Sequence, residues 1–197
     1  MNIAAFFSGE AYNMVCEFLG SNWYAVVGTV ALAALAVCHI IYAFILTMQN
    51  RRARGNQRYE VTSRRPEVSW ASQNMLVLGL IIFLGLLLHM YNFWGHMMFA
   101  ELADIQVAHD PADGFAWIQE TFSDPIYSIL YLVWFAALWF HLAHGFWSSM
   151  QTLGLSGKVW LKRWQCIGLV YVSVLMAVFA FLVLSFWLGF APSMCCA

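Results

Sequence analysis

Four apolar runs, each long enough to cross a lipid bilayer, constrain this chain more than any other feature. They lie at about Trp23–Met48, Gln73–Phe99, Ile126–Met150 and Cys166–Phe190, and a bilayer core needs roughly 20 helical residues to span it. Inside hydrocarbon a backbone N–H or C=O has no water to bond, so only helices and closed barrels can cross. The runs are continuous rather than alternating, which excludes the period-two pattern of a barrel strand. The expected fold is therefore all-α: a transmembrane helical bundle with four spans, forming a single membrane domain over residues 1–197. Composition agrees, with 62% of residues hydrophobic and 10% charged, against roughly 25% charged in soluble domains.

The charges orient the bundle. All nine basic residues fall in two connections, with Arg51, Arg52, Arg54, Arg58, Arg64 and Arg65 in one and Lys158, Lys162 and Arg163 in the other. Basic loops stay in the cytoplasm, so both connections are expected there and both termini outside. Eight of the ten acids (Glu10, Glu17, Glu101, Asp104, Asp110, Asp113, Glu120 and Asp124) gather at the opposite end. The net charge of -1 gives no reason to expect nucleic-acid binding.

Between the spans the chain is short. Residues 1–22 carry a modestly amphipathic piece, AYNMVCEFLG, expected to lie on the outer face as an interfacial helix. The first cytoplasmic connection, QNRRARGNQRYEVTSRRPEVSW, contains Gly55 and Pro66; it reads as an ordered loop, a docking surface, or a binder of anionic lipid headgroups. The outer connection has turn signals at Asp110-Pro111 and Asp113-Gly114. Five cysteines (Cys16, Cys38, Cys166, Cys195 and Cys196) lack C-x-x-C spacing, so neither a zinc ribbon nor a thioredoxin-like site is indicated.

Histidine is costly inside a span, which makes an intramembrane histidine a functional candidate by default. His39 and His141 each precede a Gln, Gln49 and Gln151, by ten residues near the basic end of a run, roughly 15 Å along a helix. Both runs point from outside to inside, so the two histidines are expected at one depth. Facing each other, they have the geometry of the axial ligands of a b-type haem. His89 lies about 16 residues past Gln73 on a run of opposite direction, roughly 24 Å from the basic boundary, so it implies a second site nearer the outer face. Gly28, Gly79, Gly85 and Gly145 would permit close approach of a ring or another helix.

Three further histidines carry other readings. His144 completes H-x-x-H with His141; it reads as a metal partner, a haem-edge hydrogen bond or a helix contact. His96 lies near the outer interface with Tyr91 and Trp94, which suits an aromatic belt or a quinone contact. His109 is expected to be solvated in a loop. A different class of protein, a transporter or channel with a histidine proton relay, would favour acids and bases within the bilayer. The runs contain no Asp, Glu, Lys or Arg until their ends.

The segments HIIYAFILTMQNRRARGN, WASQNMLVLGLIIFLGLLLHMYNFW and HLAHGFWSSMQTLG resemble, in order and spacing, the cytochrome b membrane-anchor subunit of succinate dehydrogenase and fumarate reductase. The resemblance is to its single-subunit, two-haem form, as found in Bacteroides-like bacteria. It implies haem b as cofactor, with His39 and His141 ligating the iron of the inner haem and His89 one side of the outer. A membrane quinone is implied as substrate, menaquinone being the expected type, with Glu10, Tyr91, Trp94 and His96 as candidate contacts. The implied partners are a flavoprotein subunit and an iron-sulfur subunit on the cytoplasmic face, and the implied location is the bacterial inner membrane. No catalytic residue for dicarboxylate chemistry is expected in this chain.

Two departures from the family stand out. Some members carry a Glu two residues before the third helix's ligand, where this chain has Trp139, so a proton path through that point is not expected. The family has five spans, and the one that would supply the second ligand of the outer haem has no counterpart here. The expectation is an N-terminally shortened chain. The rival is a four-helix cytochrome b with a single inner haem.

Overall fold

The computed structural model describes residues 2–20, 22–55 and 69–190. Arg58, Arg64, Arg65, Pro66, Cys195 and Cys196 lie outside the described residues, and with them most of the first basic connection. Described elements are all helical: a short 3-10 turn (Asn2–Phe6), then α1 (Gly9–Gly20), α2 (Trp23–Arg54), α3 (Trp70–Gln73) and α4 (Met75–His89). A π-helical segment (Met90–Phe99) continues α4 into α5 (Ala100–Leu102); α6 (Gly114–Ser123), α7 (Pro125–Thr152) and α8 (Trp160–Trp187) follow. Four stretches are long and apolar enough to cross a membrane: Trp23–Ala53, Met75–Leu102, Pro125–Thr152 and Trp160–Trp187. The chain is a multi-pass membrane bundle.

Local chemistry sets where the helices begin. Asn22 caps α2 by accepting from the Tyr24 amide at 3.0 Å. Asp124 does the same for α7 at the Ile126 amide, 2.7 Å, with Pro125 at the first helical position, where its missing N–H costs nothing. At the far end of α7, Gly154 takes φ 73° while the Leu155 amide reaches back to the Met150 carbonyl at 2.9 Å. This paired-bond termination needs a residue tolerant of the left-handed region.

Two boundaries differ from expectation. α2 continues to Arg54, past the Gln49 at which the loop was expected, and α8 begins at Trp160 rather than Cys166. Arg, Lys and Gln are good helix formers, so a helix runs on past hydrocarbon into the headgroup layer until a residue such as Gly55, at φ 64°, ends it. The third difference is α6, a helix inside what read as a turn-rich connection. Asp113 caps it by accepting from the Ala116 amide at 3.0 Å, so one turn signal is in fact a helix start.

α7 is the central helix, packed against α8 along one side and α4 along another. The tightest packing lies at the acidic end, where α1, α6 and the upper parts of α7 and α8 enclose Phe115, Ile118, Phe122, Tyr131, Val183 and Phe186. The interfacial helix expected in residues 1–22 is thus α1, and it is docked on protein, with Tyr12 and Cys16 buried. Asn13 ties it down, donating to Asp113 Oδ1 at 2.7 Å and accepting from the Phe115 amide at 2.9 Å. Asn13→Ala should therefore cost about 1–2 kcal/mol, from two lost hydrogen bonds, one of them to a carboxylate. Thermal unfolding in detergent checks it, and an unchanged midpoint would show that the α1–α6 clamp is not stabilising.

α2 behaves differently. It packs extensively only on α1 at the acidic end, and none of its most apolar window is buried. Val27, Leu32, Leu35, Ile41, Tyr42 and Phe44 are all exposed, so apolar side chains surround the whole helix. A helix apolar all round belongs in lipid or in a protein core, and the exposed faces of α2 suit lipid. Cys38 is exposed on the same helix, as Cys166 is on α8.

Candidate functional site

Helical rise decides the first feature of the site. His39 on α2 and His141 on α7 meet, with ring centroids 6.1 Å apart and planes at 80°. Here α2, otherwise removed from α7, presents a polar side chain to it. Beside them, Gly79 of α4 faces the His141 ring: a Cβ there would lie 3.9 Å from Cε1. Gly28 and Gly145 border open space. His141 Nδ1 is buried with no hydrogen-bond partner among the described residues. A buried polar atom without a partner is uncommon enough to call for an explanation.

Two imidazoles on opposite sides of one metal provide a measure of fit. With metal–nitrogen bonds of about 2 Å, and each nitrogen about 1 Å from its ring centre, trans rings have centroids roughly 6 Å apart. His39 and His141 stand at that spacing. The donor set, one imidazole from each of two helices, suits haem iron better than the three or four protein ligands that zinc takes. No cluster of three or more His, Cys, Asp or Glu able to hold a bare metal ion occurs among the described residues.

His144 is one turn further toward the basic end and has another engagement. Its Nδ1 lies 3.3 Å from Ser69 Oγ, and its ring meets Trp147 edge-on at 4.8 Å. Ser69 also caps α3, so this contact fastens the short helix before the second span onto α7. Trp139 donates its indole N–H to Ser173 Oγ at 2.9 Å and joins α7 to α8.

His89 occupies a separate environment toward the acidic end. Phe93, Trp134 and Tyr131 surround it at ring-centroid distances of 5.1, 5.6 and 6.2 Å. Its Nδ1 is also buried without a partner. A cavity of about 340 Å³ opens beside it, enclosed by the π segment, α6, α7 and α8 and lined by apolar side chains with Tyr12 and Tyr131. That volume is at the small end of the range for ligand pockets. No second histidine lines the space beside His89 among the described residues, so a haem there would find one histidine ligand among them and not two. Burial pushes the Tyr12 hydroxyl and the Cys16 thiol above their ordinary ranges, so both remain protonated at neutral pH.

The candidate quinone contacts divide. Tyr91 and His96 meet edge-on at 5.1 Å, and His96 stacks on Trp117 at 4.9 Å. Trp94 turns to Phe99 instead, 5.7 Å away, with its indole N–H buried and unpartnered among the described residues. Glu10 is exposed and forms no ion pair among them. His109 is not simply solvated: its Nε2 is 3.0 Å from Glu120 and its ring abuts Trp117. Sequence reasoning passed over Trp117 because α6 was not expected. The Asp113 cap followed by the amphipathic FAWIQETF was the available signal. The ten-residue π segment had none, although such widened turns recur at functional sites.

The chain is thus a multi-pass α-helical membrane bundle in which a histidine from each of two spans meets the other. No protein-family model matches the chain, nor does any curated protein or solved structure.

Proposed function

We propose that this chain is the haem-b membrane anchor of a succinate:quinone or quinol:fumarate oxidoreductase, passing electrons between an iron-sulfur subunit and a membrane quinone. One observation carries the reading: His39 and His141, from separate spans, meet with ring centroids 6.1 Å apart, the spacing of two imidazoles sharing one metal. His39 and His141 would hold the iron of one haem b, and His89 one side of a second. Bound there, haem supplies a one-electron carrier that no side chain of the chain can replace. The protein positions the imidazoles and lets Gly79 stand close to His141. Trp139, bonded to Ser173, holds α7 and α8 together without offering a proton route.

The iron-sulfur and flavoprotein subunits would dock at the basic end, expected to be cytoplasmic, and the bacterial inner membrane is the proposed location. Quinone, of the menaquinone type, would bind near Tyr91 and His96, which meet, with Trp94, turned to Phe99, and Glu10 the weaker candidates.

A reduced-minus-oxidised spectrum of the purified protein should show b-type bands. Their absence would end this reading and favour a histidine-relay transporter. His144→Ala should retain those bands, because the ring that meets His39 is that of His141 and not of His144; haem loss in this variant alone would transfer the ligand role from His141 to His144. The absence of a facing histidine at His89 among the described residues favours a second reading, a cytochrome b of another respiratory complex with one haem. Quantitation near one haem per chain supports that reading, and two supports the first.

A further inference from the structure

The turn joining α7 to α8 lies at the basic end, where the proposed partner subunits would also dock, and is built in a way that electron transfer does not require. It is rigid: the Leu155 amide bonds the Met150 carbonyl at 2.9 Å, the Gly154 amide bonds Gln151 at 3.0 Å, and the Leu161 amide bonds Gly157 at 2.9 Å. Trp164 also donates its indole N–H to the Leu155 carbonyl at 3.1 Å, pinning the turn to the start of α8. Yet the apolar side chains on this frame face outward, with Leu153, Leu155 and Val159 all more than half exposed. Among them stand Lys158, Lys162 and Arg163, the last held 5.0 Å over the Trp160 ring. No Asp or Glu occurs among the described residues of this end of the bundle.

We infer that this turn is a binding surface for the headgroups of anionic phospholipid. Apolar side chains, indoles and cations fixed at the depth where two spans end match the boundary between acyl chains and phosphates. Arg163 and the lysines supply charge, Leu153, Leu155 and Val159 enter the acyl boundary, and Trp160 and Trp164 sit at headgroup level. A turn already ordered by its own hydrogen bonds loses little freedom on binding. The occupant is lipid rather than a protein partner because the outward leucines and cations are interleaved on one short turn that two spans hold at the membrane surface.

The test is native mass spectrometry of the detergent-solubilised full chain titrated with phosphatidylglycerol and, separately, phosphatidylcholine. The wild-type protein should retain phosphatidylglycerol preferentially and lose the preference in 1 M salt, where the screening length is about 3 Å. Each cation near an anionic surface contributes roughly fivefold, so K158Q/K162Q/R163Q should weaken retention on the order of a hundredfold. K158Q/K162Q is the milder variant if the triple one does not fold. Equal retention of the two lipids by the wild type, or an unchanged preference in either variant, would overturn the inference. So would a variant that keeps its lipid preference but loses a co-purifying subunit, which would assign the turn to a protein partner.

Discussion

Replacing His141 with Ala is expected to eliminate the b-type absorbance that the His39–His141 pair supports: half the signal if the protein carries two haems, all of it if one. His39→Ala should do the same. The expectation follows from geometry, since two imidazoles 6.1 Å apart act as a pair and neither can hold one iron from both sides. Stability should fall with it. A ligand present at a thousandfold its dissociation constant contributes about 4 kcal/mol to the folded state, and that linkage vanishes when the site no longer binds. α2 should suffer most, because outside its α1 contact this meeting is its principal approach to α7. Full absorbance in both single variants would sink the assignment. His141→Gly with added imidazole separates lost ligation from lost fold: recovery of the bands shows that the bundle persisted and lacked only the nitrogen.

The depth of these two histidines was legible because it rests on a fixed quantity. A helical rise of about 1.5 Å per residue converts equal spacing from a common boundary into equal height, so ten residues to Gln49 and ten to Gln151 suffice. That the rings also face one another is a matter of helix rotation, which spacing does not determine. The surroundings of His89 were hidden for the same reason. Which α7 residues turn toward α4 depends on how the helices pack, and nothing in the sequence places Trp134 and Tyr131, more than forty residues away, around that ring. The four spans could be read from the length of the apolar runs alone, since lipid leaves the backbone few choices. Their polar ends could not, because a helix does not stop where hydrocarbon stops. α2 runs through Arg51 and Arg52, and α8 starts at Trp160 ahead of Lys162 and Arg163.

Glycine is where sequence and structure diverge most usefully. Gly28, Gly79, Gly85 and Gly145 were grouped as places where a ring or helix could come close, and the structure separates them. Gly28 and Gly145 border open space, Gly79 faces His141, and Gly85 is filled by Trp134. A Cβ at Gly85 would overlap the indole atoms Cγ, Cδ1 and Nε1. That ring cannot simply swing aside, because its N–H donates to the Ile82 carbonyl at 3.1 Å and its face packs on Phe135 and His89.

Gly85→Ala should therefore destabilise the bundle by about 2–4 kcal/mol, combining overpacking with a lost or distorted hydrogen bond in a low-dielectric setting. Gly28→Ala on α2, with nothing within 4 Å of its Cβ position, should instead stabilise the helix, by up to about 1 kcal/mol. Thermal denaturation of the two variants in one detergent compares them directly. The Gly85 variant carries a second expectation, because moving Trp134 also disturbs the wall of the cavity beside His89. Any haem bound on the His89 side should be lost or spectrally shifted while the His39–His141 signal stays, since Gly79 rather than Gly85 borders that pair. Equal stability of the Gly28 and Gly85 variants would mean that Trp134 can leave its slot without cost. Loss of the His39–His141 signal in place of the other would mean that the two sites are coupled through α4 and cannot be treated as separate.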